Sequence, residues 1–284
     1  MRMRDVRDLT QPITRLGDVA DRYAALFCDV WGVVHDGLRK SPLAETALTE
    51  ARANGVKVVL LTNSPRLSAD VVAQLDAMSF SRNAYDHVVT SGDATRALIA
   101  KGPRNVFHIG PARDINIFEG LGVELVPEER AETIVATGLF HDETETPEDY
   151  EALLVRLAER QIPMICANPD IVVHRGARLI FCAGALAQRY AALGGETFLA
   201  GKPHAPIYAL AHETVGVECD RVLCIGDGLF TDIAGAANFG ADALFVVEGI
   251  HGEELAGLAV DGKLLSDELA GRGLAARYAI ATLS

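Results

Sequence analysis

Four apolar runs in this chain end on polar residues that a buried strand does not need. The run 24–28 stops at Asp29, and the chain's single tryptophan, Trp31, follows two positions later in "LFCDVWGVVHDG". The run "VKVVLL" (56–61) leads into Thr62-Asn63-Ser64, the run 87–89 into Ser91-Gly92-Asp93, and "RVLCI" (221–225) into Gly226-Asp227-Gly228. Each alone reads as a turn or a helix cap. Together they would bring two carboxylates and two hydroxyl-bearing turns to one edge of a sheet. Two carboxylates at one edge repel unless a cation sits between them. An all-oxygen donor set suits Mg2+, which keeps several waters and bridges to substrate phosphate. Asp232, five residues after Asp227, would fall in the first turn of a helix starting near Leu229. There it either orients the metal ligands from behind or complements the helix dipole. Thr62 and Asn63, with their turn N–H groups, could cradle a phosphate. Lys202, between Gly201 and Pro203 in "AGKPHAPIY", is a point charge for a phosphate or a metal-bound carboxylate.

The elements that would position these residues alternate. Further apolar runs lie at 105–109, 133–136, 163–167 and 243–247, and helical periodicity occupies 67–78 and 148–160. Thr146-Pro147-Glu148-Asp149 reads as a helix start, with proline in the first turn and acids facing the dipole. Gly184-Ala185-Leu186 reads as a helix opening that leads to Gly194-Gly195. Continuous Val/Leu/Ile runs fit parallel strands buried on both faces. The alternation with helices predicts an α/β fold with a doubly wound parallel sheet, in which ligands bind at the carboxyl ends of the strands.

The 284 residues suggest about two domains. The 26 basic and 39 acidic residues give a formal charge of -13, which argues against nucleic acid or an anionic membrane as partner. Five scattered cysteines lack zinc spacing. Cys28, Cys166 and Cys224 read as small core hydrophobes, which implies a reducing compartment. No apolar leader segment and no long apolar run appear, so a cytoplasmic protein is expected.

In order along the chain, "DVWGVVHDG", "LLTNS", "GKPHAPIY" and "IGDGLFTD" resemble the four motifs of the haloacid dehalogenase-like superfamily. More closely they resemble its branch containing N-acetylglucosamine-phosphate and p-nitrophenyl-phosphate phosphatases, which inserts a large α/β cap between the second and third motifs. The resemblance implies a catalytic core at 1–101 and 198–284 and a cap at 102–197. It implies Asp29 as the nucleophile that forms an aspartyl-phosphate, Thr62 as the hydroxyl on the phosphoryl group, and Lys202 as the lysine that steadies both. It also implies Asp29, Asp227 and the backbone carbonyl of Trp31 as Mg2+ ligands, with Asp232 behind them. The implied substrate is a small phosphorylated metabolite, a sugar phosphate among them. Cap surfaces in that branch pair, so a homodimer is one expected assembly.

One position departs from the pattern. Two residues after the nucleophile, phosphatases of the superfamily carry a second aspartate, which protonates the leaving oxygen and later activates water. Trp31 stands there, and indole does no acid–base chemistry near neutrality. His35 and Asp36 are neighbours in sequence that could substitute. The alternatives are phosphoryl transfer to another acceptor, or a phosphate- and metal-binding protein with little turnover. Trp31 itself reads equally as a space-filling aromatic and as a surface for a substrate ring. Within the insert, Asn168-Pro169-Asp170 forms an expected turn. In the resembled branch the corresponding loop reaches the active site, which makes Asn168 and Asp170 candidates for substrate contact. His174 and Arg175 follow as a cationic pair suited to a second anionic group or to the surface.

Overall fold

A computed structural model describes residues 9–175, 178–249 and 261–284. The first eight residues, on which the leaderless reading rests, lie outside that description, as do the side chains of His174 and Arg175. From the N-terminus, β1 (Gln11–Pro12) and β2 (Ala25–Asp29) precede α1 (Pro42–Ala53), and β3 (Lys57–Thr62), α2 (Ser68–Ala77), β4 (His87–Thr90) and α3 (Ser91–Ile99) follow. Next come β5 (Asn105–Ile109), β6 (Glu124–Leu125), β7 (Thr133–Ala136), α4 (Glu151–Glu159) and β8 (Met164–Cys166). After them are β9 (Val172–Arg175), β10 (Arg178–Phe181), α5 (Ala183–Ala192) and β11 (Thr197–Leu199). The chain closes with α6 (Ala205–Val215), β12 (Val222–Gly226), α7 (Ala234–Phe239), β13 (Asp242–Val246), α8 (Gly262–Gly271) and β14 (Tyr278–Ile280). It divides into two compact units. The first comprises Met1–Leu61, Val72–Val88 and Tyr208–Ser284, the second Thr62–Val71 and Val89–Ile207.

The first unit is built on a seven-stranded sheet in the order β1-β14-β13-β12-β2-β3-β4. Each adjacent pair from β1 to β3 is parallel. Every residue of β2, β12 and β13 is buried. That is why these strands read as unbroken apolar runs, since a parallel sheet hides both faces. From β2 the chain winds outward through β3 and β4 on one side, and through β12, β13 and β14 on the other. The order therefore reverses between β2 and β12, which places a crevice at their carboxyl ends. The register pairs Ile225 with Cys28, so Asp29 and Asp227 leave the sheet side by side at that switch point.

The second unit carries a five-stranded sheet in the order β11-β8-β7-β5-β6, parallel throughout. Successive residues of β7 enter opposite cores. Ile134 and Ala136 pack with Leu154 and Leu157 of α4 and Leu186 and Tyr190 of α5, whereas Val135 packs with Ile99 of α3, Ile117 and Phe118. This sheet runs from Asn105 to Leu199, against the 102–197 expected of an insert. β9 and β10 pair only with each other among the described residues. That hairpin was missed in the sequence, although two apolar stretches flanking "RGAR" spell one. The two- and three-residue strands β1, β6, β11 and β14 are too short for periodicity to mark.

Caps set where the helices begin. Asp149 accepts from the Thr146 N–H at 2.8 Å, so the expected start holds, but the first turn, Pro147–Tyr150, is a tight 3-10 turn ahead of α4. Asp93, one of the strand-end acids, proves to be a cap. It exchanges hydrogen bonds with Thr90, and its Oδ1 accepts from Ser68 N at 3.2 Å. None of the described helices is long and apolar enough to cross a membrane. Asp93→Ala is expected to destabilise the fold by about 1–2 kcal/mol, read as a lowered midpoint in urea unfolding.

Candidate active site

In the first unit, Asp29, Asp227 and Asp232 each offer a carboxylate oxygen, and these oxygens lie within 4.8 Å of one another. All three residues are buried. Asp29 Oδ1 accepts from its neighbour, the Val30 N–H, at 2.7 Å. Asp232 reaches the cluster because the segment after Gly228 opens as one wide turn, Leu229–Ile233, in which Ile233 N bonds Gly228 O at 3.1 Å, before α7 begins. Such π-type turns gather at functional sites. Asp232 Oδ2 accepts from Gly228 N at 3.1 Å and from the Thr231 hydroxyl at 3.2 Å. Glycines close over the other acid. A Cβ on Gly32 would lie 2.2 Å from Asp227 Oδ2, and one on Gly249 would lie 2.1 Å from the same atom.

Three buried carboxylates without a cation repel and lose hydration. Their all-oxygen chemistry fits a hard divalent ion. The Trp31 carbonyl fits the same role, since it accepts no hydrogen bond from any described residue. The Trp31 indole is half-buried and lies over Gly37, where a Cβ would come within 3.2 Å of Nε1. His35 is buried, and its Nδ1 accepts from the Gly37 N–H at 3.0 Å. That bond assigns the proton to Nε2, and burial holds the ring below the usual histidine range. Asp36 is exposed, and the Leu38 and Arg39 N–H groups that cap it lower its pKa. Both residues hold the loop together, and the Gly37 N–H on Nδ1 keeps His35 from carrying the second proton that a general acid would give up.

Tyr208 was not singled out in the sequence. It is fully buried, and burial, with the charges of Asp232 and Asp29 adding to it, pushes its phenol far above the ordinary range. Its ring stacks on Phe239 at 5.4 Å, and Phe239 stacks on Phe27 at 5.8 Å, so an aromatic column backs the acids. The only signal was the tyrosine six residues after Lys202 in "GKPHAPIY".

The second unit gathers the remaining candidates. Lys202 is buried, and its N–H donates to Asn63 Oδ1 at 2.7 Å. Asn63 Nδ2 donates to Asp170 Oδ1 at 2.9 Å and to Lys202 O at 3.1 Å. The amide of Asn63 is thus used as a clamp joining the two loops. Asn168 Oδ1 accepts from Asp170 N at 3.0 Å, closing the expected turn. Thr62 Oγ1 accepts from Ser64 N at 3.2 Å. Gly201 must be small, since a Cβ would lie 2.5 Å from Asn63 Oδ1 and 2.8 Å from Ser91 Oγ. Ser91 Oγ is buried with no hydrogen-bond partner among the described residues.

Gly32 also has φ +89, and Gly55 has φ +88 with no atom of the described residues within 4 Å of an added Cβ. Gly32→Ala is expected to destabilise the protein by about 1–3 kcal/mol more than Gly55→Ala, because only Gly32 collides with Asp227. Paired thermal unfolding of the two variants checks this.

The family model for haloacid dehalogenase-like hydrolases matches residues 26–124, and a second model of the same kind of hydrolase matches 199–271. A crystal structure of a haloacid dehalogenase-like hydrolase from Brucella suis 1330 is 51% identical, with a TM-score of 0.85, covering 96% of this chain and 100% of that one. A glycerol phosphate phosphatase from Mycobacterium tuberculosis, in complex with calcium, is 26% identical with a TM-score of 0.67, covering 82% of this chain and 68% of that one. An acid sugar phosphatase from Staphylococcus aureus is 25% identical over 235 residues, 81% of this chain and 88% of that protein. A dihydroxyacetone phosphatase from Corynebacterium glutamicum is 30% identical over 87 residues, which span 30% of this chain and 32% of its own length. With a relative matched end to end at half identity, and the expected motifs at the strand ends, the chain belongs to the haloacid dehalogenase-like family of hydrolases.

Proposed function

We propose that this protein is a Mg2+-dependent phosphatase acting on a small phosphorylated metabolite of the sugar-phosphate class. The observation that carries the proposal is the trio of buried carboxylates, Asp29, Asp227 and Asp232, at the switch point of the first sheet. The named activities of the sugar, glycerol and dihydroxyacetone phosphatases related to it support the substrate class. Calcium and magnesium complexes of the mycobacterial enzyme support the cation.

In this reading Asp29, Asp227 and the Trp31 carbonyl hold Mg2+, with Asp232 steadying them. The ion supplies Lewis-acid charge for a phosphoryl group. The Asp29 carboxylate attacks phosphorus, the ester oxygen leaves with the bonding pair, and water then cleaves the aspartyl-phosphate to return the carboxylate and release phosphate. Thr62 hydrogen-bonds the phosphoryl oxygens and Lys202 balances their charge. Asn63 holds Lys202 and Asp170 in place, and Asn168 and Asp170 present the cap turn to the substrate. In this reading residues 102–197 are the cap. Trp31 supplies no proton, so a leaving sugar oxygen takes its proton from solvent or from the substrate's own hydroxyl. Trp31 also favours the second reading, a phosphate- and metal-binding protein with little turnover.

A phosphate-release screen over phosphorylated metabolites with Mg2+ tests the proposal. Release is expected for at least one sugar phosphate and lost in Asp29→Asn; no release above that variant on any ester refutes it. In EDTA, Asp227→Asn is expected to melt above wild type because one repelling charge is gone. Mg2+ should raise the wild-type melting temperature and leave the variant's nearly unmoved. Trp31→Asp is expected to speed hydrolysis of unactivated sugar phosphates by about 10²–10⁴-fold if the missing acid limits the rate. A folded variant with unchanged kcat would show that another group already moves the proton.

A further inference from the structure

The five-stranded sheet of the second unit has its own switch point. From β5 the chain passes to β6 on one side, and then to β7, β8 and β11 on the other, so a crevice opens at the carboxyl ends of β5 and β7. A polar chain occupies that point. His108 on β5 bonds Thr137 Oγ1 through Nε2 at 2.9 Å. The buried Asp114 carboxylate lies close enough to the Thr137 hydroxyl for that group to counter part of the rise in its pKa that burial causes. A carboxylate only accepts, so Thr137 donates to Asp114 and accepts from His108. His108 is then the neutral Nε2–H tautomer, in keeping with burial lowering its pKa to about 4. Its Nδ1 lone pair has no partner among the described residues. The imidazole leans edge-on against Phe118 at 5.1 Å. Gly110 leaves room for the pair, since a Cβ there would lie 2.0 Å from Thr137 Oγ1 and 2.7 Å from His108 Nε2.

Charge around this chain is mixed, with no positive excess. The positive charges of Arg66 and Arg113 and the negative charge of Asp142 act on Asp114, Arg113 pairs with Asp142, and the negative charge of Glu143 acts on Arg113 as well. Such a cluster with a bare nitrogen acceptor suits an uncharged donor such as a hydroxyl better than a second phosphate or a carboxylate. The carboxyl ends of β8 and β11, followed by Asn168, Asp170 and Lys202, lie on the same sheet edge. β5 and β11 are three strand spacings apart, roughly 14 Å. A ligand that reaches from the loop after β11 to β5 bridges that span, which suits a phosphorylated hexose better than a three-carbon phosphate.

We propose that His108, Thr137 and Asp114 form a subsite that binds a sugar hydroxyl remote from the phosphate, selecting phosphorylated sugars of about hexose size. This rests on the phosphatase reading for its turnover assay, but not for its binding assay. Hydrolysis of glucose 6-phosphate and fructose 6-phosphate is compared with that of p-nitrophenyl phosphate, which carries no hydroxyl. His108→Phe, which keeps a ring against Phe118, and Thr137→Val are each expected to raise KM about tenfold for the better hexose phosphate, and to leave kcat and the p-nitrophenyl phosphate KM within about twofold. Equal losses on both kinds of ester, or no loss on the sugar phosphates, overturn the subsite. In ¹⁵N imidazole spectra of the wild-type protein, the His108 Nδ1 resonance is expected to move on titration with hexose 6-phosphate and not with inorganic phosphate. No movement at saturation, or the same movement with both, overturns it independently of turnover. A wild type that cleaves no ester while this resonance still responds refutes the phosphatase reading and leaves the subsite standing.

Discussion

Three carboxylates held within 4.8 Å of one another and shut away from water are an arrangement that a chain adopts only under compulsion. Each would otherwise separate from the others or take up a proton. The compulsion comes from the first sheet. β2 and β12 are buried along their whole length, so their register cannot slip without turning apolar side chains into solvent or polar ones into the core. That register delivers Asp29 and Asp227 to neighbouring positions. Gly32 and Gly249 close on Asp227, and the wide turn after Gly228 brings in Asp232. The aromatic column of Phe27, Phe239 and Tyr208 supports the cluster from the core. Stability supplied by the apolar sheet is thus offset locally by charge repulsion, and a bound cation removes that penalty.

The second unit solves a different problem, that of placing a buried lysine. Lys202 is held through its backbone, because the Asn63 amide bonds both its N–H and its carbonyl, while the second amide hydrogen reaches Asp170. One side chain therefore fixes the loop after β11, the turn after β8 and its own turn after β3. The close packing of Gly201 against Asn63 and Ser91 allows no slack in this junction.

How much was legible in the sequence follows from the length scale of each signal. The fully buried strands β2, β7, β12 and β13, and the largely apolar β3 and β5, announced themselves because both faces of a covered parallel sheet demand apolar residues. The acids at their ends stood out against that background. The two-residue strands β1 and β6 carry no period, and the lone hairpin β9–β10 was overlooked between stronger elements. Asp93 looked like Asp29 in sequence, yet it is a cap, because a carboxylate three residues past a threonine satisfies the helix start before it can serve anything else. His108, Thr137 and Asp114 are separated by 29 and 23 positions, so only the fold brings them to one point. Neither spacing nor residue type hinted at the chain they form.

In the phosphatase reading, Trp31 sets what kind of chemistry the site can finish. The loop after β2 shows no replacement acid. His35 spends Nδ1 on Gly37, and Asp36 spends its carboxylate on two backbone N–H groups. A general acid is worth about 10²–10⁴ in rate, and a nucleophile and cation alone do not restore that factor for an alkoxide leaving group. Two routes remain open to such a site. The substrate leaves as a stable anion, or the substrate's own hydroxyl or a solvent molecule delivers the proton. The second route places a premium on how the sugar is oriented. A tightly specified set of hydroxyl contacts on the cap would then do through positioning what the missing aspartate does through proton transfer.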